Sequence, residues 1–84
     1  MSNFCYWCQR FIVYYVLNGH IVVKLALPTF ELAKCTAVQV FGCLGSGSDG
    51  VDLFVVDRVK RQRYNYDFLL SSWDRPIESE DKYL

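Results

Sequence analysis

Two runs of β-branched and aromatic residues, Phe11-Ile-Val-Tyr-Tyr-Val-Leu17 and His20-Ile-Val-Val-Lys-Leu-Ala-Leu27, flank the dipeptide Asn18-Gly19. Asn-Gly supplies the two positive-φ positions of a type I′ turn. The pattern therefore predicts a β-hairpin closed by a two-residue loop. The turn sets a register: Leu17 opposite His20, Val16 opposite Ile21, Tyr14 opposite Val23 and Ile12 opposite Leu25. In that register Ile12, Tyr14, Val16, Ile21, Val23 and Leu25 share one face. Phe11, Val13, Tyr15, Leu17 and Val22 share the other, interrupted by His20 and Lys24.

After the hairpin the period changes. Pro28 breaks the strand, and Thr29 suits the cap of a helix, its hydroxyl accepting an early backbone N–H. From Phe30 to Phe41 apolar residues recur at helical spacing: Phe30, Ala33, Ala37, Val40, Phe41 and Leu44 on one side, Glu31, Lys34, Cys35 and Gln39 on the other. Gly42 is the expected stop. Residues 45–50 (Gly-Ser-Gly-Ser-Asp-Gly) read as a connector. Residues 51–59 predict a third strand. Residues 63–69 predict a fourth, with Tyr64, Tyr66 and Phe68 alternating against Arg63, Asn65 and Asp67. Lys60, Arg61 and Gln62 are the expected turn between them. The fold class is α+β: hairpin, helix, hairpin (β-β-α-β-β), an antiparallel sheet with one helix packed on one face. Residues 1–70 form the expected domain. Residues 71–84 are expected as a partly ordered C-terminal tail, with Trp73 packing back as an anchor.

Composition agrees with a cored domain: 84 residues, 52% hydrophobic and 17% aromatic, too apolar for a disordered chain. Nine basic residues balance nine acidic ones. That removes a bulk electrostatic pull toward nucleic acid or anionic lipid. Asn18, Gly19, His20 and Lys24 interrupt the apolar stretch, so no run long enough to span a bilayer is expected. The first ten residues lack the basic start and small-residue cleavage site of a secretion signal, which points to a cytoplasmic protein with reduced cysteines.

Motifs that could carry chemistry are sparse. Cys5-x-x-Cys8 has the spacing of half a zinc site or of a redox pair. His20, at the turn end of the hairpin, is too far along the strand to join Cys8 on one metal. Cys35 and Cys43 lie about 12 Å apart if the helix is continuous, too far to share an ion. The glycines of residues 45–50 lack the Gly-Lys-Ser/Thr of a phosphate loop, and Asp49, Asp52 and Asp57 do not match a calcium loop. His20 has no nucleophile or orienting carboxylate nearby in sequence. The reading is a non-enzyme without cofactor or metal.

Two surfaces stand out. Arg58, Lys60, Arg61 and Arg63 place four cations beside Tyr64 and Tyr66, a strip suited to phosphate, to stacked bases or to an acidic protein. The other is the second apolar face of the first hairpin, since a one-helix sheet ordinarily turns a polar face outward. Val13 and Tyr15 on that face, Lys24 beside them and the four cations of the strip are the expected partner-binding residues. The expected partner is a protein, including a nucleoprotein complex or a second copy as a homodimer. Nucleic acid at residues 58–66 is the first alternative and a cysteine-based zinc or redox module the second; a membrane is not expected. Over residues 11–69 the order of elements resembles small phage-encoded inhibitors of the anti-CRISPR type. The resemblance implies a protein that occludes a large bacterial defence complex at its nucleic-acid channel.

Overall fold

The computed structural model describes residues 10–42 and 50–84. Its elements are β1 (Phe11–Leu17), β2 (His20–Leu27), α1 (Phe30–Phe41), β3 (Val51–Asp57), β4 (Gln62–Asp67), β5 (Ser72–Trp73), β6 (Ile77–Glu78) and a 3-10 turn at Asp81–Tyr83. The fold is α+β, with one helix on an antiparallel sheet of order β2-β1-β3-β4-β5. The element order is longer than hairpin-helix-hairpin. β5 and β6 both pair with β4 and together form one interrupted edge. Pro76 lies in the interruption, where no ladder hydrogen bond is asked of it.

The Asn-Gly turn forms as the sequence predicts, with φ of 52° at Asn18 and 82° at Gly19. Leu17 pairs with His20 and Val16 with Ile21, but the next pair is Tyr15 with Val23. Val22 is the extra residue of a β-bulge. The slip changes which residues face which way. Val13 now lies opposite Leu25 and Tyr14 opposite Lys24, so the pairings expected from the turn alone are corrected beyond Ile21. Val23, Leu25 and Leu27 thereby join Phe11, Val13 and Tyr15 on the face that the helix covers.

Thr29 caps α1 as expected, its hydroxyl accepting from Leu32 N–H at 3.2 Å. Ala33, Ala37 and Phe41 are the buried helix residues. The two alanines let the helix approach Phe11, Val13, Leu53 and Val55 closely. Tyr15 stacks on Phe41 with ring centroids 5.0 Å apart and planes 13° from parallel. Tyr64 meets Phe30 at 4.5 Å, and Tyr66 meets Trp73 at 5.0 Å. The expected open face at Val13 and Tyr15 is thus corrected: Val13 is fully buried under the helix and Tyr15 is half-buried against it.

The opposite face holds a second core of Ile12, Tyr14, Val16, Phe54 and Val56. Its cover is the chain's own C-terminal segment. Tyr83 is buried against this cluster, and Leu84 packs beside it. The Tyr83 ring meets Tyr14 at 5.1 Å and Phe54 at 5.0 Å, both edge-on, the geometry aromatic quadrupoles favour. The Tyr14 hydroxyl donates to the Tyr83 carbonyl at 2.9 Å, and burial pushes the Tyr14 phenol above its ordinary pKa. The Arg63 guanidinium lies 3.9 Å from the Phe54 ring centre and completes the layer. Residues 72–84 are therefore packed onto the sheet rather than trailing from it.

Both later hairpins turn without glycine by one device. Asp57 accepts from the N–H groups of Val59 and Lys60, and Asp67 accepts from those of Leu69 and Leu70. Each aspartate ties down the start of its loop. Each loop ends in a left-handed residue, Arg61 at φ 57° and Ser71 at φ 51°. This device ends β3 at Asp57 and β4 at Asp67, two residues earlier in each case than the alternation of apolar residues suggested.

Candidate protein-binding surface

The ladders bring sequence-distant apolar residues to one end of the sheet. Leu17, the last residue of β1, pairs with His20 and with Val51. Phe54 pairs with Asn65, so β4 leaves the sheet at Asp67 on that same end. Phe41 in the last turn of α1 stacks over Tyr15 near it. The exposed hydrophobics Leu17, Ile21, Val22, Val40, Leu69 and Leu70 belong to these elements. Leu69 is 95% exposed and Leu70 is 73% exposed, at the tip of the β4–β5 loop. β2 and β4 are three ladder steps apart, so the two turns lie on the order of 14 Å from each other. Asp67 holds the Leu69 and Leu70 backbone in place. The two leucines are presented on a fixed turn, in water, with no core to fill.

The strand predicted over residues 63–69 conceals the turn that begins at Asp67 and exposes Leu69 and Leu70. The available signal is Asp67 followed by three apolar residues and two serines, a side-chain-capped turn.

The expected basic strip lies at the opposite end, on the β3–β4 loop, and is partly occupied by the chain's own groups. Arg61 meets Asp81 at 3.4 Å. Arg63 donates to Asn65 at 2.8 Å and stacks on Phe54. Arg58 is half-buried, and Lys60 points into solvent. The Ser79 N–H donates to the Arg61 carbonyl, and Glu78 pairs with Gln62 on the ladder, so Glu78, Glu80 and Asp81 run beside the strip.

Under this loop Asp57 is almost fully buried and takes Arg10 in a two-pronged ion pair, Nε to Oδ1 and Nη2 to Oδ2, both at 2.9 Å. Burial alone raises the Asp57 carboxyl. Arg10 and the Lys60 and Val59 N–H groups outweigh it and hold the carboxyl below its ordinary range. The same pair raises Arg10. Two-pronged Arg–carboxylate geometry of this kind fixes the loop where it leaves the sheet.

Lys24 lies on β2 with its ammonium 5.8 Å from the Tyr14 ring centre. Among the described residues no carboxylate is within ion-pair distance of it. Cys35 is exposed on α1, near Trp73 across a shallow groove that Glu31, Lys34 and Val38 also line. Cys5, Cys8 and Cys43 lie outside the described residues, so the zinc and redox reading rests outside them too. Among the described residues no three His, Cys, Asp or Glu side chains converge on a common point. No helix among them is long and apolar enough to cross a membrane.

No protein-family model, curated protein or solved structure matches this chain.

Proposed function

We propose that this chain is a small binding protein that occludes or bridges a protein partner, and that it grips that partner with the apolar end of its sheet. The observation that carries the reading is the pair Leu69 and Leu70, held almost fully in water by a turn that Asp67 fixes. Leaving such side chains exposed forgoes about 1.5–3 kcal/mol of burial each, and an interface recovers it. Leu17, Ile21 and Val22 extend the patch across the sheet end. Apolar anchors ringed by polar groups are the anatomy of a protein interface. This replaces Val13 and Tyr15, which the core uses, as the anchoring residues. A protein partner is favoured over nucleic acid because Glu78, Glu80 and Asp81 share the basic end with Arg58, Lys60, Arg61 and Arg63, and Asp81 already engages Arg61. Inhibition of a larger complex by covering one of its surfaces is consistent with this mode.

The test is Leu69→Ser with Leu70→Ser. Both side chains lie outside the core, so the circular dichroism spectrum and melting temperature should stay near the wild type. Cross-linking in lysate of the native host should lose the protein species captured by the wild type. Capture unchanged by the double substitution, or capture that only nuclease treatment removes, overturns the reading.

A further inference from the structure

β2 is an edge strand of His20–Leu27, and no described residue pairs with its outer side. Native edges are usually short, covered, or studded with charge, because a bare row of N–H and C=O groups recruits another strand. This one runs eight residues and carries a single lysine. The hairpin fixes which backbone groups are free. The closing pair of a type I′ turn exchanges hydrogen bonds, so Leu17 turns its backbone groups to β2, and alternation gives Tyr15, Val13 and Phe11 the same duty. Their partners across the bulge are Val23, Leu25 and Leu27. The residues between them, Lys24 and Ala26, therefore turn their N–H and C=O groups away from the sheet.

The charges on this edge say what can lie against it. His20 and Lys24 are its only ionisable side chains, and Lys24 meets no carboxylate among the described residues. A second copy paired antiparallel on the same edge would bring two lysines together, whereas a strand with a carboxylate opposite Lys24 would pair it. Ile21 and Val22 link the edge to the apolar end already described.

Resting on the protein-binding reading above, we propose that β2 takes an extended segment of the partner as an added antiparallel strand, with an acidic residue opposite Lys24 and apolar residues beside it. The main chain of Lys24 and Ala26 supplies affinity, and Lys24 supplies register and selects charge. The bulge at Val22 ends the regular edge, so the docked segment enters beside Leu27, runs antiparallel to β2 and ends next to the bulge.

The probe is a fluorescein-labelled peptide, Thr-Val-Thr-Val-Glu-Val-Thr-Val-Thr, read by anisotropy against the full chain. It should bind about five- to tenfold more tightly than the same peptide with Lys in place of Glu, the span between an attractive and a repulsive cross-strand pair. Lys24→Glu should reverse that order. Ala26→Pro should abolish binding while leaving the melting temperature near the wild type, because the lost N–H faces outward. A peptide N-methylated at the Glu nitrogen keeps the question answerable if that variant misfolds, and it should also fail to bind. No binding, equal binding of the Glu and Lys peptides, or full binding of the N-methyl peptide overturns the proposal. So does a wild-type dimer in sedimentation that Ala26→Pro disrupts, since the occupant is then a second copy. Partner capture that is lost with Leu69→Ser and Leu70→Ser but survives Ala26→Pro overturns strand addition alone and leaves the protein-binding reading standing.

Discussion

Replacing Tyr83 with alanine tests whether the chain covers its own second sheet face. Tyr83 is 8% exposed and sits edge-on to both Tyr14 and Phe54, within 5.6 Å of the Arg63 guanidinium. Truncating a buried aromatic ring costs about 3–5 kcal/mol in a closed core. Two features lower that figure here. The segment ends the chain, so it can relax, and the Tyr14 hydroxyl bonds the Tyr83 carbonyl, which the variant keeps. Each aromatic pair contributes about 0.5–1.5 kcal/mol beyond area, and both are lost. A net loss of about 2–3 kcal/mol follows, close to half of the roughly 5 kcal/mol available to a chain this size. The melting temperature should fall by about 10–20 °C. Thermal and urea melts of Tyr83→Ala and Tyr83→Phe decide the matter, with the phenylalanine variant near the wild type because the ring is retained. An apolar dye should bind the alanine variant as Tyr14, Phe54 and Val56 become accessible. A loss under about 0.5 kcal/mol, the range of an exposed substitution, would refute the C-terminal cover.

Val13→Asn should leave the chain largely unfolded by circular dichroism, since it strips a fully buried valine and strands an amide under α1, together about 3–5 kcal/mol. The Asp57 carboxyl is held below its unfolded value of about 3.9, so its contribution is complete above that pH and is lost as pH falls through the lower folded value. Arg10→Gln takes away the cation that holds it down, so the stability gap between variant and wild type should be widest at neutral pH and close below about pH 4 in urea melts. Gly50→Ala should cost about 1–2 kcal/mol in the same melts, because Gly50 sits at φ 78° with its new Cβ directed at the Asn18 side chain. Cys35 should react with a maleimide in the folded protein, and Cys35→Ser should shift stability by no more than about 0.5 kcal/mol.

Local chemistry made much of this fold legible. Asn18-Gly19 dictates a turn because few other dipeptides hold two positive φ angles, and Pro28-Thr29 marks a helix start because one residue breaks the strand and the next caps the helix. The α+β class follows from the change of period between Leu27 and Phe30. What the sequence alone did not decide is which face goes where. Both faces of β1 are apolar, so the period-two pattern has no polar side to point outward. The bulge at Val22 then aligns Val23, Leu25 and Leu27 with Val13, and the helix settles on that face. A one-residue slip costs little locally and changes the environment of every side chain beyond it, so only the packed molecule selects it. The same holds for the C-terminus. Glu78, Glu80 and Asp81 read as a solvated tail, but Tyr83 finds an apolar face that α1 leaves free. The surface we assign to binding is also tertiary in origin: Leu17 and Val22 come from the first hairpin and Leu69 and Leu70 from a later loop. Only the antiparallel ladders through β1 and β3 bring them to the same end of the sheet.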